Sequence, residues 1–404
     1  MAAYEEAARR IPMGEGAQVI VAGGGAGGIA AALAARRMGC TVLLIDKALL
    51  LGGLATQGLI NWIEPYCDGE GHRVLGGIPW ELFQLAIRYG HDSLPDTWSG
   101  TGHGPKAGRL GSWFSPEAFM LAAEELLTRE GVTLLLDTRC VAPVMEDGRC
   151  RGVITEGIEG RTMLPADVVI DATGTCELFA RAGAPTRTGE NYLALRAYAM
   201  DAQSQREALE AGDPYMARRR LRFGATLSGK GQPEGVPTVA GVTARETTDF
   251  ALAARRMLFE QMQREPRLAM DVVNLPQMAQ LRTIRHIVGA ATFMGTEDHA
   301  RAEDSIGVIP DFMYPGRLYE LPYRSLYAPG YAGLLTCGRT ISAEGWGWHA
   351  SRVLGPVFLT GQAAGAAARF MLDLQGEPWA VPVGKLQEAL RETGLAMHAD
   401  ELGE

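Results

Sequence analysis

The 404-residue sequence has no Cys-x-x-Cys pair, no excess of basic charge and no apolar stretch long enough to span a bilayer. Its six cysteines, at 40, 67, 140, 150, 176 and 337, are too scattered for a local zinc or iron–sulfur signature, and such thiols are expected to be reduced. Acidic residues outnumber basic ones 47 to 38, a formal charge of −9, so the basic face that a nucleic-acid groove requires is not expected. The apolar run at residues 19–35 is broken by five glycines and reads as strand, turn and helix start rather than a membrane span. The opening MAAYEEAARR has no apolar core, so a secretory leader is not expected and a cytoplasmic location is. Disorder has no support either, with 47% hydrophobic residues against 21% charged. What the sequence has in plenty is glycine, 51 residues, roughly twice the usual share, which points to backbone positions of positive φ or close approach to a ligand.

Length alone predicts two or three domains. Residues 17–22 (AQVIVA) have the continuous apolar character of a buried parallel strand, residues 29–38 the composition of a helix that Gly39 ends, and residues 41–45 (TVLLI) that of a second strand closed by Asp46. Together they make one β-α-β unit. Residues 48–112 are rich in glycine, tryptophan and histidine, with a helix predicted over 80–89. Ser115 and Pro116 predict a helix start, as N-cap and first helical residue, for a helix over 116–129. Then come a strand at 132–136, a meander at 140–145, 152–156 and 162–165 with turns at Glu146-Asp147-Gly148 and Glu159-Gly160, and a buried strand at 166–170. Residues 191–325 read as a second domain, with helical stretches near 202–222 and 247–264. From 332 a strand, an aromatic glycine-rich loop and an apolar helix over about 355–374 follow.

Gly23-Gly24-Gly25-Ala26-Gly27-Gly28 fits G-x-G-x-x-G between strand and helix. The first glycine makes the tight turn, Gly25 admits a pyrophosphate to the backbone, and Gly28 lets helix and strand pack closely. Asp46, at the end of the second strand, can accept hydrogen bonds from both ribose hydroxyls of an adenosine and disfavours a 2′-phosphate. A second glycine pair, in Leu51-Gly52-Gly53-Leu54-Ala55-Thr56, lies where FAD would continue past its pyrophosphate and has no use in an NAD-dependent dehydrogenase. Ala172-Thr173-Gly174 and Cys337-Gly338-Arg339 add two further glycine-tipped strand ends.

With these motifs the chain resembles the bacterial FAD-dependent oxidoreductases of the glutathione-reductase-like, two-dinucleotide-binding-domain flavoprotein superfamily. The resemblance runs from Arg10-Ile11-Pro12 through GGGAGGIAAALAARRMG, LLIDKALLLGGLATQGL, YCDGEGHRVLGGI, SPEAF, VVIDATGTCELFARAGAP, LRTIRHIVGAATF and ELPYRSL to LLTCGRTISAEGWGWHASRVLGPVFLTGQAAGAAA. It implies an α/β fold: a Rossmann-like FAD-binding domain, parallel sheet with β-meander, plus a second α+β substrate domain. The FAD-binding domain would be discontinuous, 1–60, 113–190 and 326–376, with a substrate or cap domain at 61–112 and 191–325 and a C-terminal extension at 377–404. Carried over residue by residue, Gly23, Gly25, Ala26, Gly27 and Gly28 would hold the FAD pyrophosphate, and Asp46, beside Lys47, the adenosine ribose. The family more often has Glu at this position, so Asp46 shortens the reach by one methylene. Gly52, Gly53 and Thr56 would lie along pyrophosphate and ribityl, Val141 beside adenine, and Ala172, Thr173 and Gly174 near the nucleotide end. Gly338 and Arg339 would approach the ribityl chain, while Arg352 either fixes its loop or faces the flavin or substrate. The helix start from Gly355 to Thr360 would face the flavin N1/O2 edge, where its dipole favours the reduced anion.

Flavin chemistry leaves the protein to position the substrate, handle one proton and exclude water. His349, flanked by Trp346 and Trp348, is either a proton shuttle or a loop histidine bonded to the backbone. Cys67 either contacts or covalently holds the flavin, or is an inert buried thiol; His72 and His103 are alternative attachment points. Arg282, Arg285, His286, Tyr323 and Arg324 either face the substrate or, for the arginines, pair with the acid-rich stretch 297–304. The leading expectation is hydride transfer between a small organic substrate and flavin N5, with an electron acceptor or donor left open. The alternatives are a flavin-bearing electron-transfer subunit, which the lack of cysteine clusters weakens, and an NAD-dependent dehydrogenase. No second G-x-G-x-x-G marks a pyridine-nucleotide domain. A homo-oligomer is left open.

Overall fold

The computed structural model describes residues 4, 6–96, 98 and 110–402. Its elements are best followed from the first strand, β1 (Ala17–Ala22), whose last four residues are fully buried. The chain turns into α1 (Ala26–Arg37), returns as β2 (Val42–Ile45), and contributes α2 (Gly77–Arg88) and α3 (Pro116–Arg129) before β3 (Thr133–Leu135). Three antiparallel strands follow, β4 (Arg139–Glu146), β5 (Arg149–Gly157) and β6 (Gly160–Asp171). The second sheet is built from β7 (Ala194–Met200), β8 (Arg219–Gly224) and β9 (Asp271–Asn274), backed by α4 (Ala244–Arg264). Near the C-terminus β10 (Leu334–Thr336) and α5 (Leu354–Leu372) rejoin the first sheet.

The seven-stranded sheet runs β3-β2-β1-β6-β5-β4, with β10 also paired to β6. Its β3, β2, β1, β6 and β10 ladders are parallel and its β6-β5-β4 ladders antiparallel. This is the expected α/β class, with one difference in detail. The two strands predicted at 162–165 and 166–170 are a single strand, β6, because Ala166–Asp171 and Gly160–Pro165 have partners on different neighbours and need no break between them. Ser115 stands at the N-cap position of α3, but its hydroxyl accepts from the His91 N–H at 3.1 Å instead of capping the helix.

Of residues 202–222, where helical stretches are predicted, Ala202–Ala211 form an α-helix and Pro214–Ala217 a short 3₁₀ helix. Gly212, at φ +67°, closes the α-helix, and β8 follows as a strand. The cause is a period of two hidden by arginines: Leu221 and Phe223 pack against the cluster of Leu195, Phe250 and Leu258, while Arg220 and Arg222 point the other way, over the Trp113 ring. The β7–β9 sheet therefore has two unlike faces. Leu195 and Ala197 pack toward α4; Ala194, Arg196 and Tyr198 face away from it.

α1 and α5 cross in close contact, and glycines make the contact possible. A Cβ on Gly361 would lie 2.3 Å from the Gly27 carbonyl oxygen, and one on Gly365 would lie 2.2 Å from that of Ala31. Both helices are nearly all alanine and glycine where they meet, so the crossing fixes the start of α5 over the start of α1. α2, within the stretch assigned to the cap from sequence, shares the buried core with α1, α3 and α5. So do Leu386 and Leu390 of the C-terminal stretch. The six cysteines are free and buried. Among the described residues no helix is long and apolar enough to cross a membrane.

Candidate functional site

Where β1 ends, Gly23 adopts φ +113°, a conformation that a side chain disfavours. Gly24 N–H then donates to Asp46 Oδ2 at 2.5 Å, while Ala48 N–H donates to Asp46 Oδ1 at 2.8 Å. Burial pushes the Asp46 carboxyl up from its ordinary range, and these two donors with Lys47 oppose that rise. Gly25 caps α1 without a side chain, and the first intrahelical bond is Ile29 N–H to Gly25 C=O, which leaves the N–H groups of Ala26, Gly27 and Gly28 without intrahelical acceptors. A Cβ on Gly25 would meet nothing within 4 Å, whereas one on Gly28 would meet the Gly23 oxygen at 1.8 Å. The loop is thus open on one side and tight on the other.

The second glycine pair is pinned to the first. Gly52 N–H donates to Gly24 C=O at 2.8 Å, and Gly52 and Gly53 have φ of +93° and +54°. Thr56 donates its hydroxyl to Leu51 C=O. Beside the loop, Asp171 ends β6 as a buried carboxylate that accepts from Thr173 N–H and Oγ1 and from the Leu178 and Phe179 N–H groups, at 2.6–3.2 Å. This anchors Ala172-Thr173-Gly174 against Gly23. A small cavity of about 40 Å³ lies there, with Gly23, Asp46, Lys47, Cys140 and Thr173 in its wall. Val141 is not among its lining residues; its carbonyl accepts from Arg181 at 2.7 Å.

A larger cavity of about 260 Å³ opens between Leu54, Ile60 and Trp62 on one side and the β7 face, Phe312 and the start of α5 on another. Arg196, Arg282, Arg339 and Arg352 all reach its wall; among the described residues Glu64 is the one carboxylate there. Arg339 is held by the carbonyls of Gly174 and Leu281, both at 2.6 Å, and burial lowers its pKa to about 10. Arg352 is lowered to about 9 by burial and by Arg282, Arg339 and Arg196. Gly338, at φ +72°, donates its N–H to Thr360 Oγ1 at 2.9 Å, which ties the β10 end to α5. Gly355, at the start of α5, is packed so tightly that a Cβ would lie 2.6 Å from Leu75.

The family model for FAD dependent oxidoreductases matches residues 18–223 and 238–390. The chain belongs to that family. FAD is the cofactor of this oxidoreductase. No curated protein matches its sequence. Among solved structures, this flavoprotein is similar to a geranylgeranyl bacteriochlorophyll reductase-like protein from Thermoplasma acidophilum, at 16% identity over 94% of this chain and 84% of that one, with a TM-score of 0.48. It is also similar to CabE, an aromatic hydroxylase from angucycline biosynthesis, at 14% identity over 94% of this chain and 66% of that one, TM-score 0.47. L-proline dehydrogenase from P. horikoshii matches at 13% identity over 95% of this chain and the whole of that one, TM-score 0.38.

The flavoprotein's other candidate residues are dispersed. His349 stands behind the larger cavity, its Nδ1 accepting from Arg352 Nε at 3.5 Å, and burial with Arg352 and Arg282 lowers its pKa to about 4. Arg324 is paired with Asp304 at 2.9 Å, within the acid-rich stretch, and does not line the cavity. Tyr323 is buried and donates to the Pro378 carbonyl at 2.9 Å. Arg285 does not line that cavity; it faces a neighbouring hollow of about 740 Å³ with Lys47 and Arg139, and Arg339 stands in the wall of both. Cys67 is buried outside the cavity wall, its pKa raised to about 12 by burial and by Asp68, conditions that keep a thiol unreactive. His72 lies 2.7 Å from Asp68 on the surface, and His103 falls outside the described residues. Sequence reasoning missed Asp171 as an anchor and Arg196, Glu64 and Gln280 as cavity residues. Arg196 did leave a trace: it is the one charge in the otherwise apolar strand ALRAYAM.

Proposed function

We propose that the protein is an oxidoreductase that transfers a hydride between a small organic substrate and the N5 atom of FAD. The observation that carries this reading is the open face of the Gly23–Gly28 loop: a backbone bare of Cβ atoms at Gly25, with helix N–H groups left for an anion, fits a pyrophosphate. Asp46 would take the adenosine ribose, Gly52 and Gly53 would flank the chain beyond, and the larger cavity would receive the ring and the substrate. When bound, the flavin supplies the two-electron chemistry.

The residues of the chain then have three tasks. Leu54, Ile60, Trp62 and Phe312 give the cavity an apolar wall that excludes water from the reacting atoms. Arg339 and Arg352, held by a backbone carbonyl and by His349, would supply positive charge to a bound flavin, whose reduction gathers negative charge. His349, neutral at pH 7, accepts from Arg352 and orients it; its role is positioning. A cationic neighbour disfavours a proton on His349, so we assign it no proton store.

The test is the visible spectrum of the purified protein before and after acid precipitation, followed by anaerobic substrate screening. Flavin absorption that stays in the supernatant, and that bleaches with substrate at the turnover rate, is the expected result. A colourless protein that FAD does not reconstitute would sink the reading, and colour kept in the precipitate would return Cys67, His72 and His103 to consideration as covalent links.

A further inference from the structure

We infer that the substrate carries an oxyanion, a carboxylate or a phosphate, and that Arg196 and Arg282 hold it at the β7 side of the larger cavity. This rests on the reading that the ring of FAD enters the same cavity from the α5 side. The four guanidinium groups in the wall face one carboxylate, that of Glu64, and none of Arg196, Arg282 and Arg352 makes an ion pair among the described residues. Charges taken out of bulk water are ordinarily paired, because an unpaired one pays its desolvation without return. The excess is therefore a demand for an anion from outside the chain.

The cofactor meets part of that demand but not at these two residues. Its phosphates have their own acceptor-free N–H groups at the α1 start, and Arg339 and Arg352 belong to the α5 side. Arg196 and Arg282 come from other elements, and both are built in. Gln280 clamps the Arg196 backbone from both ends, accepting from its N–H at 2.6 Å and donating to its carbonyl at 2.9 Å. Asn191 accepts from the Arg282 N–H at 2.6 Å, and Ala225 C=O holds one guanidinium nitrogen at 2.9 Å. Arg196 also stands directly opposite Arg222 in the β7–β8 register, a like-charge pairing that costs stability in a sheet. A sheet that needed only to fold would gain by replacing either one. Planar guanidinium pairs suit the bidentate recognition of carboxylate or phosphate, and the apolar walls take the rest of a small molecule.

The experiment uses the flavin-loaded protein at constant ionic strength. Benzoate, malonate and methyl phosphate are titrated against benzamide and malonamide, with two readouts: perturbation of the flavin spectrum and the shift in thermal midpoint, which needs no chromophore. Saturable binding of the anions, and not of the amides, is expected. R196Q and R282Q should each weaken it by about tenfold or more, R196K should recover part of the loss, and R256Q, on the exposed face of α4, should change nothing. A preference for methyl phosphate over the acids would mark a phosphate ester as the substrate class, and the reverse a carboxylic acid. Amides that bind as well as acids, or R196Q and R282Q proteins that bind anions like the parent, would overturn the inference. Flavin retained without anion binding defeats this inference alone, whereas anion-dependent thermal shifts in a protein that takes up no flavin defeat the cofactor reading instead.

Discussion

A histidine taken out of water and set against two guanidinium groups gives up its proton early. His349 titrates near 4 in the folded protein and near 6.5 when the chain is unfolded. Between those values the unfolded chain binds the extra proton, so stability is full above pH 6.5 and falls as the pH drops toward 4, by about 1–2 kcal/mol once solvent screening of the partly exposed imidazole is taken off. H349Q keeps an acceptor for Arg352 and has no proton to gain. Urea unfolding across this window should show the parent losing stability faster than the variant; parallel curves would refute the assignment. The same residue shows what sequence can reveal at this scale. A histidine in an aromatic glycine-rich stretch was visible as a candidate, but the stretch forms a short helix, Gly345–Ser351, whose C-cap is Arg352, and that placement together with the arrival of Arg282 from a distant segment decides its role. The glycines of the first loop were legible because a backbone requirement restricts residue type directly. Asp171 was not: a carboxylate at a strand end carries no mark of the four donors it collects.

At the scale of elements, the α1–α5 crossing sets a sharp test. G361A gains about 1 kcal/mol of helix propensity at best, yet its Cβ meets backbone rather than a movable side chain, and overpacking of that kind costs about 1–3 kcal/mol. The clash wins. Displacing α5 would also move the Gly27 region of α1, so the variant should lose flavin as well as thermal stability. A G361A protein with full flavin content and an unchanged midpoint would mean that the crossing does not govern the loop. Elements were readable where hydrophobic period and glycine punctuation agreed, as in β1, α1, β2 and the meander turns. Strand β8 was not, since its run of arginines masks the alternation of Leu221 and Phe223, and the opposite face of a sheet is defined only by what packs on it.

Across the whole molecule, a chain of net charge −9 keeps a positive interior cavity. The screening length in physiological salt, about 8 Å, separates the two: an approaching anion feels the acidic surface weakly and the arginines only on entry. Strand β6 gives the molecule a different kind of property. Being one unbroken segment shared by meander and parallel sheet, it acts as a gauge that sets the spacing between them, and a gauge tolerates no change of length. An alanine added between Asp147 and Gly148 only enlarges a hairpin loop, which should cost about 1 kcal/mol or less. The same alanine added between Ala166 and Asp167 inverts every side chain from there to Asp171, pulling the Asp171 carboxylate off its donors and swinging Thr173 away from Gly23. Flavin content of the two insertion proteins should diverge completely. If both kept it, the two halves of β6 would be independent, and length variation among relatives would be free to accumulate anywhere along the strand instead of only at its hairpins.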